Sequence, residues 1–322
     1  MNKVISTLIE LRRRLLGSDI EAIYNEATSL NSWFSHSEIK YAMGAICSEF
    51  LDKEKLSHWM AHYPTLPHSR SENILIIMAG NIPLVGFFDM VCCLMAGHAC
   101  YVKPSSKDRV LTEYIVNTLR EIEPSTPIYM YTDGTRIDRV IATGSDTATI
   151  HFKSKWGELP LLVRGSRHSI AIITHDTTTE ELHALTDDIS LYSGLGCRSV
   201  AMIVTPKGYS LNLPKVKTNP KLRNNYLESR AVMTLRGDSF CDWGSLLGIE
   251  SKEFSGSLST ISVWEYDSLE EVREWLVMRD KEIQCVVGGD AVSHKRSAAF
   301  GMAQRPTLFD YADEVDTMKF LM

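Results

Sequence analysis

Ile74-Leu75-Ile76-Ile77-Met78-Ala79-Gly80-Asn81-Ile82-Pro83 decides the fold. The run from Ile74 to Met78 is apolar at every position, odd and even alike, as a parallel strand covered on both faces requires. A loop with a glycine follows and proline closes it. Leu84 to Met95 then reads as a buried helix and Ala99-Cys100-Tyr101-Val102 as a second strand. The alternation goes on through a helix from Val110 to Glu121, a strand Ile128-Tyr129-Met130-Tyr131 and a strand Arg139-Val140-Ile141-Ala142, ending in the turn Thr143-Gly144-Ser145. Strands alternating with helices predict a doubly wound, Rossmann-type α/β domain, which binds ligands outside the carboxyl ends of its strands.

The same segment is long enough to cross a bilayer. Asn81-Ile82-Pro83, Asp89 and Gly97-His98 interrupt it, however, and leave no stretch of about 20 apolar residues. A membrane span is therefore not expected.

On the amino side, residues 2 to 62 show helical spacing, with Val4, Leu8, Leu11 and Leu15 on one face and Ile39, Met43, Ile46 and Phe50, then Leu56 and Met60, on another. Tyr63-Pro64-Thr65-Leu66-Pro67-His68-Ser69 is a proline-broken connection. On the carboxyl side a second α/β unit begins near Arg164-Gly165. It runs through a strand Ser169 to Ile173, a helix Thr178 to Leu191, a strand Val200 to Val204, a strand Ser259 to Tyr266, a helix Ser268 to Met278 capped by its serine, and a strand Ile283 to Val287. Pro206 to about Tyr226 is polar and reads as a long excursion. Its Lys207, Lys215, Lys217, Lys221 and Arg223 either meet phosphate groups or are simply solvated. The tail Tyr311 to Asp316 reads as strand or coil, and the sequence carries no internal repeat. The expected organisation is a helical lead-in with a nucleotide-binding domain over 1–165, then a smaller catalytic domain with its tail over 166–322.

A chain of 322 residues with 44% hydrophobic content supports about two domains with real cores. Its net charge is -6, from 34 basic and 40 acidic residues, without a basic block large enough to hold many phosphates, so nucleic acid is not an expected partner. Seven cysteines, an odd number without any CxxC pair, argue against a disulfide framework or a zinc site. With no signal peptide recognisable, they point to a reducing cytoplasm.

One of them stands apart in Tyr192-Ser193-Gly194-Leu195-Gly196-Cys197-Arg198-Ser199-Val200, a loop between predicted helix and strand. Two glycines let backbone approach closely there, and the adjacent arginine would favour a thiolate. Cys197 reads as a nucleophile, although the residue pattern alone also allows a loop cysteine without a role.

Ala79-Gly80-Asn81-Ile82-Pro83, Val102-Lys103-Pro104-Ser105-Ser106, Ala142-Thr143-Gly144-Ser145 and Cys197, in that order, resemble the aldehyde dehydrogenase superfamily. The details are most similar to its acyl-CoA reductase branch, typified by the fatty-acid reductase of bacterial bioluminescence. The resemblance runs from about residue 70 to residue 205 and continues more weakly to the C-terminus. It implies an aldehyde dehydrogenase-like fold, shortened here. Cys197 would attack a thioester to form an acyl-enzyme, with Asn81 as side-chain donor of the oxyanion hole and the Cys197 backbone N–H as the second. Lys103 would grip the adenosine ribose of a nicotinamide cofactor, Gly144 and Ser145 would open a helix against its pyrophosphate, and Met78 and Ala79 would border it. NAD-preferring relatives carry a glutamate where this chain has Ser106, followed by Lys107, so the resemblance implies NADPH over NADH.

Departures from the family pattern also carry meaning. Hydrolytic relatives have a general-base glutamate upstream of the cysteine; the matching neighbourhood, Val163-Arg164-Gly165-Ser166-Arg167-His168-Ser169, has no carboxylate. Without that base the acyl-enzyme should be reduced to aldehyde rather than hydrolysed. His168 is the nearest titratable group to supply a proton, unless it is structural. Arg164 and Arg167 would hold phosphates of CoA or of a phosphopantetheine carrier, or form salt bridges between domains. Glu253-Phe254 only faintly matches a second cofactor-binding carboxylate. The expected function is reduction of acyl-CoA or an acyl carrier to an aldehyde by a homo-oligomeric enzyme, with an acyl-activating ligase as a further partner. Two rivals are an acyl-phosphate reductase of the same fold and a shortened, non-catalytic paralogue that serves as a binding subunit.

Overall fold

The computed structural model describes residues 2–17, 20–63, 71–216 and 218–322. The connection expected at Pro64 to Ser69 and the cation Lys217 thus lie outside the described residues. The chain divides into two compact units, Met1–Ser166 with Pro306–Met322, and Arg167–Arg305.

In the first unit, helices α1 (Asn2–Leu15), α2 (Glu21–Leu30), α3 (His36–Ala45) and α4 (Lys53–Met60) form the lead-in. Leu8, Leu11, Leu15, Ile39, Met43, Ile46, Leu56 and Met60 are all buried in one core, as their spacing predicts. Ser35 begins α3 with a reciprocal cap, its hydroxyl accepting from the Glu38 N–H while Glu38 accepts from the Ser35 N–H. The sheet comprises β1 (Asn73–Ile77), β2 (Ala99–Lys103), β3 (Ile128–Met130), β4 (Arg139–Thr143) and β5 (Leu161–Arg164). Its order is β3-β2-β1-β4-β5, parallel throughout. Helices α5 (Phe87–Met95), α6 (Arg109–Ile122) and α7 (Asp146–Trp156) connect these strands. The apolar stretch from Ile74 to Val102 is therefore strand, helix, strand, and among the described residues no helix is long and apolar enough to cross a membrane.

The second unit holds β6 (His168–Ile172), α8 (Thr179–Ser190), β7 (Val200–Pro206), α9 (Pro220–Arg236), β8 (Cys241–Asp242), β9 (Leu247–Glu250), β10 (Thr260–Tyr266), α10 (Leu269–Met278), β11 (Ile283–Val287) and β12 (Ser297–Ala298). The sheet order is β12-β11-β6-β7-β10-β9-β8, antiparallel only between β8 and β9. Within it, β10-β7-β6-β11-β12 repeats the winding of the first unit, first strand in the middle. A repeat that the sequence does not show is thus present in the topology.

Two expectations are corrected. The polar excursion after Pro206 ends at Asn219: from Pro220 the chain is the 17-residue helix α9, with Asn219 as N-cap and proline in its first turn. The tail does not join the second unit: Tyr311 to Asp316 is coil around a short 3-10 turn, Ala312–Glu314, and stays with the first unit. Thr317–Leu321 is a short helix, α11, in the first unit, where Leu308, Met318 and Leu321 are buried.

Candidate functional site

In the first unit, strand register decides which loops meet. Ile77 pairs with Lys103 on one side and Ala142 on the other, so the carboxyl ends of β1, β2 and β4 lie level. Met78 donates its N–H to the Lys103 carbonyl at 3.0 Å. Gly80 packs so tightly on the next loop that a Cβ would lie 2.6 Å from Cβ and Oγ of Ser105 and 3.1 Å from Cβ of Lys107. The Lys103 side chain is exposed, its Nζ 5.8 Å from the centre of the Tyr131 ring. Ser106 is exposed beside it. Gly144 has equally little room, since a Cβ there would meet Ala148 at 2.9 Å and Phe152 at 3.0 Å. Ser145 caps α7 by accepting from the Ala148 N–H at 3.3 Å. The first unit thus brings Met78, Ala79, Asn81, Lys103, Ser106, Gly144 and Ser145 to one end of one sheet. These residues fit an anionic dinucleotide: an exposed ammonium, a helix amino end, and two glycines where backbone must come close.

Cys197 belongs to the second unit. Of the seven cysteines, only Cys197 and Cys241 are exposed. Burial pushes the Cys47 thiol up to about 11 and those of Cys92 and Cys93 well above the usual range, which leaves them inert. The loop before Cys197 contains three successive residues in the left-handed region: Tyr192 at φ 56°, Ser193 at φ 57° and Gly194 at φ 71°. Such backbone costs about 1–3 kcal/mol for each non-glycine residue and persists only where surroundings enforce it. Here Asn219 donates to Ser193 Oγ at 2.6 Å, and Tyr192 is buried. On the other side of the thiol, the Ser169 hydroxyl donates to the Cys197 carbonyl at 2.9 Å, and Ser199 closes a turn onto the Gly196 carbonyl at 3.0 Å.

A second set of bonds backs this loop. Asp188, buried in α8, accepts from the N–H groups of Gly301 at 2.6 Å and Ala303 at 2.9 Å. The Arg198 guanidinium binds the Ala303 carbonyl, and Gln304 donates to Ser199 Oγ at 3.1 Å. Burial lifts the Asp188 carboxyl to about 6 against the pull of its two N–H donors.

Compared with curated proteins, the sequence matches none. The family model described as acyl-CoA reductase (LuxC) matches residues 21–219, more than half of the chain. The chain belongs to the acyl-CoA reductase (LuxC) family. Solved structures agree on the fold. Aldehyde dehydrogenase 21 of Physcomitrella patens is 12% identical with a TM-score of 0.68, covering 99% of this chain and 82% of that one. An oxidoreductase of Marinobacter aquaeolei is 12% identical with a TM-score of 0.67, covering 95% and 79%. Succinic semialdehyde dehydrogenase of Streptococcus pyogenes, solved with NADP+, is 10% identical with a TM-score of 0.65, covering 90% and 78%. The fold is thus aldehyde dehydrogenase-like, and the protein is an oxidoreductase of this superfamily's LuxC branch.

Within this LuxC-family chain several side chains stand differently from expectation. Arg198 directs its guanidinium to Ala303 and, at 3.5 Å, to Cys285 Sγ, so its hydrogen bonds build the loop's support. His168 stacks on Phe254 with ring centres 4.1 Å apart. Alternation along β6 puts it on the face opposite Ser169, the residue bonded to the Cys197 backbone, and this geometry gives it a packing role. Arg164 is buried and pairs with Asp89 at 2.5 Å and Thr317 at 2.7 Å, so it is not open to phosphates of CoA or a carrier, nor does it bridge domains. Arg167 donates to the Ile283 carbonyl at 3.3 Å. Glu253 is paired with Arg279 at 2.7 Å. Ser169 and Asp188 were not singled out by sequence; a strand serine and a helix aspartate carry no local signal of what they hold.

Proposed function

We propose that this chain is an NADPH-dependent acyl-thioester reductase that works through an acyl group on Cys197. The observation that carries the reading is the exposed Cys197 thiol in a loop whose left-handed backbone is held from both sides. The thiolate attacks the thioester carbonyl carbon, the bond to the CoA or carrier sulfur breaks, and that sulfur leaves as thiolate. Asn81 and the Cys197 N–H stabilise the charge that develops on the carbonyl oxygen. Lys103, Ser106, Gly144 and Ser145 hold the nicotinamide cofactor, with Met78 and Ala79 along its path. When bound, that cofactor supplies the hydride that takes the acyl group to the aldehyde level. The bond to Cys197 then breaks and the thiolate is regenerated. No carboxylate stands in Val163 to Ser169, so water is not activated to divert the acyl-enzyme to acid. Ser106 and the adjacent Lys107 leave room and positive charge for a 2′-phosphate.

The test is direct. Incubation with acyl-CoA should add one acyl mass to the peptide containing Cys197, and NADPH, more readily than NADH, should discharge it as aldehyde. Cys197→Ser should lose both steps. Acyl transfer from acyl phosphates but never from thioesters would establish the acyl-phosphate rival, and failure to bind either cofactor would establish the non-catalytic one.

A further inference from the structure

Asp108 stands at the N-cap of α6, where an aspartate normally accepts from the second or third N–H of its own helix and stabilises it. It makes no such bond. Its side chain reaches instead to the loop after β1 and accepts from the Leu84 N–H at 2.7 Å. Leu84 has φ 54°, a left-handed conformation that a leucine rarely adopts, so something must enforce it. Leu84 in turn accepts from Phe87 N–H at 2.9 Å and leads the chain into α5. Asp108 is buried, 2% exposed, and its second oxygen, Oδ1, has no hydrogen-bond partner. A buried carboxylate with one donor and one idle oxygen lowers stability, and helix capping is forgone as well. Burial accordingly pushes its pKa well above the usual carboxylate range.

A residue that weakens the fold twice over yet holds one strained N–H acts on the position of that loop. The loop is the one that carries Asn81. The segment that ends in Asp108 begins at Lys103, and the two are already pressed together where Gly80 meets Ser105 and Lys107. We propose that Asp108 is a positioning residue, which anchors the Asn81–Gly86 loop to the Lys103–Asp108 segment and so sets the side-chain amide of Asn81 for the oxyanion. This deepens the reductase reading and rests on it for the role of Asn81; the anchor itself is a property of the fold.

The experiment uses the full chain with Asp108→Ala, Asp108→Asn, Asn81→Ala and the double variant Asp108→Ala/Asn81→Ala. In Asp108→Ala, deuterium uptake across residues 81–86 should rise while β1 is unchanged. Asp108→Asn, whose amide oxygen still accepts from Leu84, should return it to the wild-type level. For aldehyde formation, Asp108→Ala should lower kcat about a hundredfold, as expected for a misplaced oxyanion donor, with the KM for NADPH little changed. Asp108→Asn should recover most of that loss, and the double variant should be no slower than Asn81→Ala alone. Unchanged uptake in Asp108→Ala, or losses that multiply in the double variant, would overturn the proposal. Asp108→Ser, too short to reach Leu84, gives the same comparison should the alanine variant not fold. A wild-type protein that makes no aldehyde would sink the reductase reading, while the exchange data would still decide the anchor.

Discussion

Asp188 holds the segment behind the Cys197 loop, and its titration should be visible in stability. Its folded pKa, about 6, lies above the ordinary 3.8, so the folded state binds the proton more tightly than the unfolded chain. Stability from this group is therefore fully present below about pH 4 and is lost as pH rises through 6. The loss is on the order of 3 kcal/mol for a shift of about two units. Urea unfolding of wild type and Asp188→Asn between pH 4 and 7 checks this: the wild type should weaken relative to the variant as pH rises. A difference independent of pH would refute it. Cys197, Asn81, Lys103, Gly144 and Ser145 were legible as candidates because their chemistry is tied to residue type and to a glycine- or proline-marked loop. The directions of Arg198, Arg164 and His168 were not, because an arginine beside a site in sequence goes wherever an acceptor lies and His168 goes to the ring of Phe254, and those partners come from distant residues.

Among the elements, the parallel strands β1 to β4, β6, β7, β10 and β11 were readable to within about two residues, since unbroken apolar runs have few other uses in a packed core, whereas β5, β9 and β12, no more than four residues long, were not read because so short a run carries too little pattern. Helix α9 was hidden for the opposite reason. Only Leu222 and Tyr226 are buried along its 17 residues, so it lacks an apolar period, although asparagine followed by proline marks its start. That asparagine ties the helix to the Cys197 loop: Asn219 accepts from the Leu222 N–H at 2.8 Å and donates to Ser193 at 2.6 Å. Asn219→Ala should cost about 1–2 kcal/mol in chemical denaturation, from a lost cap and a lost hydrogen bond. Asn219→Asp, which keeps the capping oxygen, should cost less. Equal stability of all three proteins would show that the bridge contributes nothing.

At the scale of the whole molecule, the last 17 residues return to the first unit although they follow the second in sequence. Leu308, Met318 and Leu321 are buried there, the Leu321 carbonyl meets His98 Nε2 at 2.8 Å, and Thr317 completes the Arg164–Asp89 pair. Deleting residues 306–322 removes three buried apolar side chains, at about 2 kcal/mol each, and leaves Arg164 short of a partner. The shortened chain should unfold at clearly lower urea or be recovered unfolded; an unchanged midpoint would contradict the packing described. By itself the sequence determined the alternation of strand and helix, the loops that bear the candidate chemistry and the family, because these depend on local apolar pattern and residue type. Only the tertiary structure decided that the second sheet repeats the winding of the first, that the tail belongs with the first unit, and that Asp108 abandons its own helix for the Asn81 loop. Each of these is a pairing between residues far apart in sequence, where the partner that best satisfies a buried group is known only once the chain has folded.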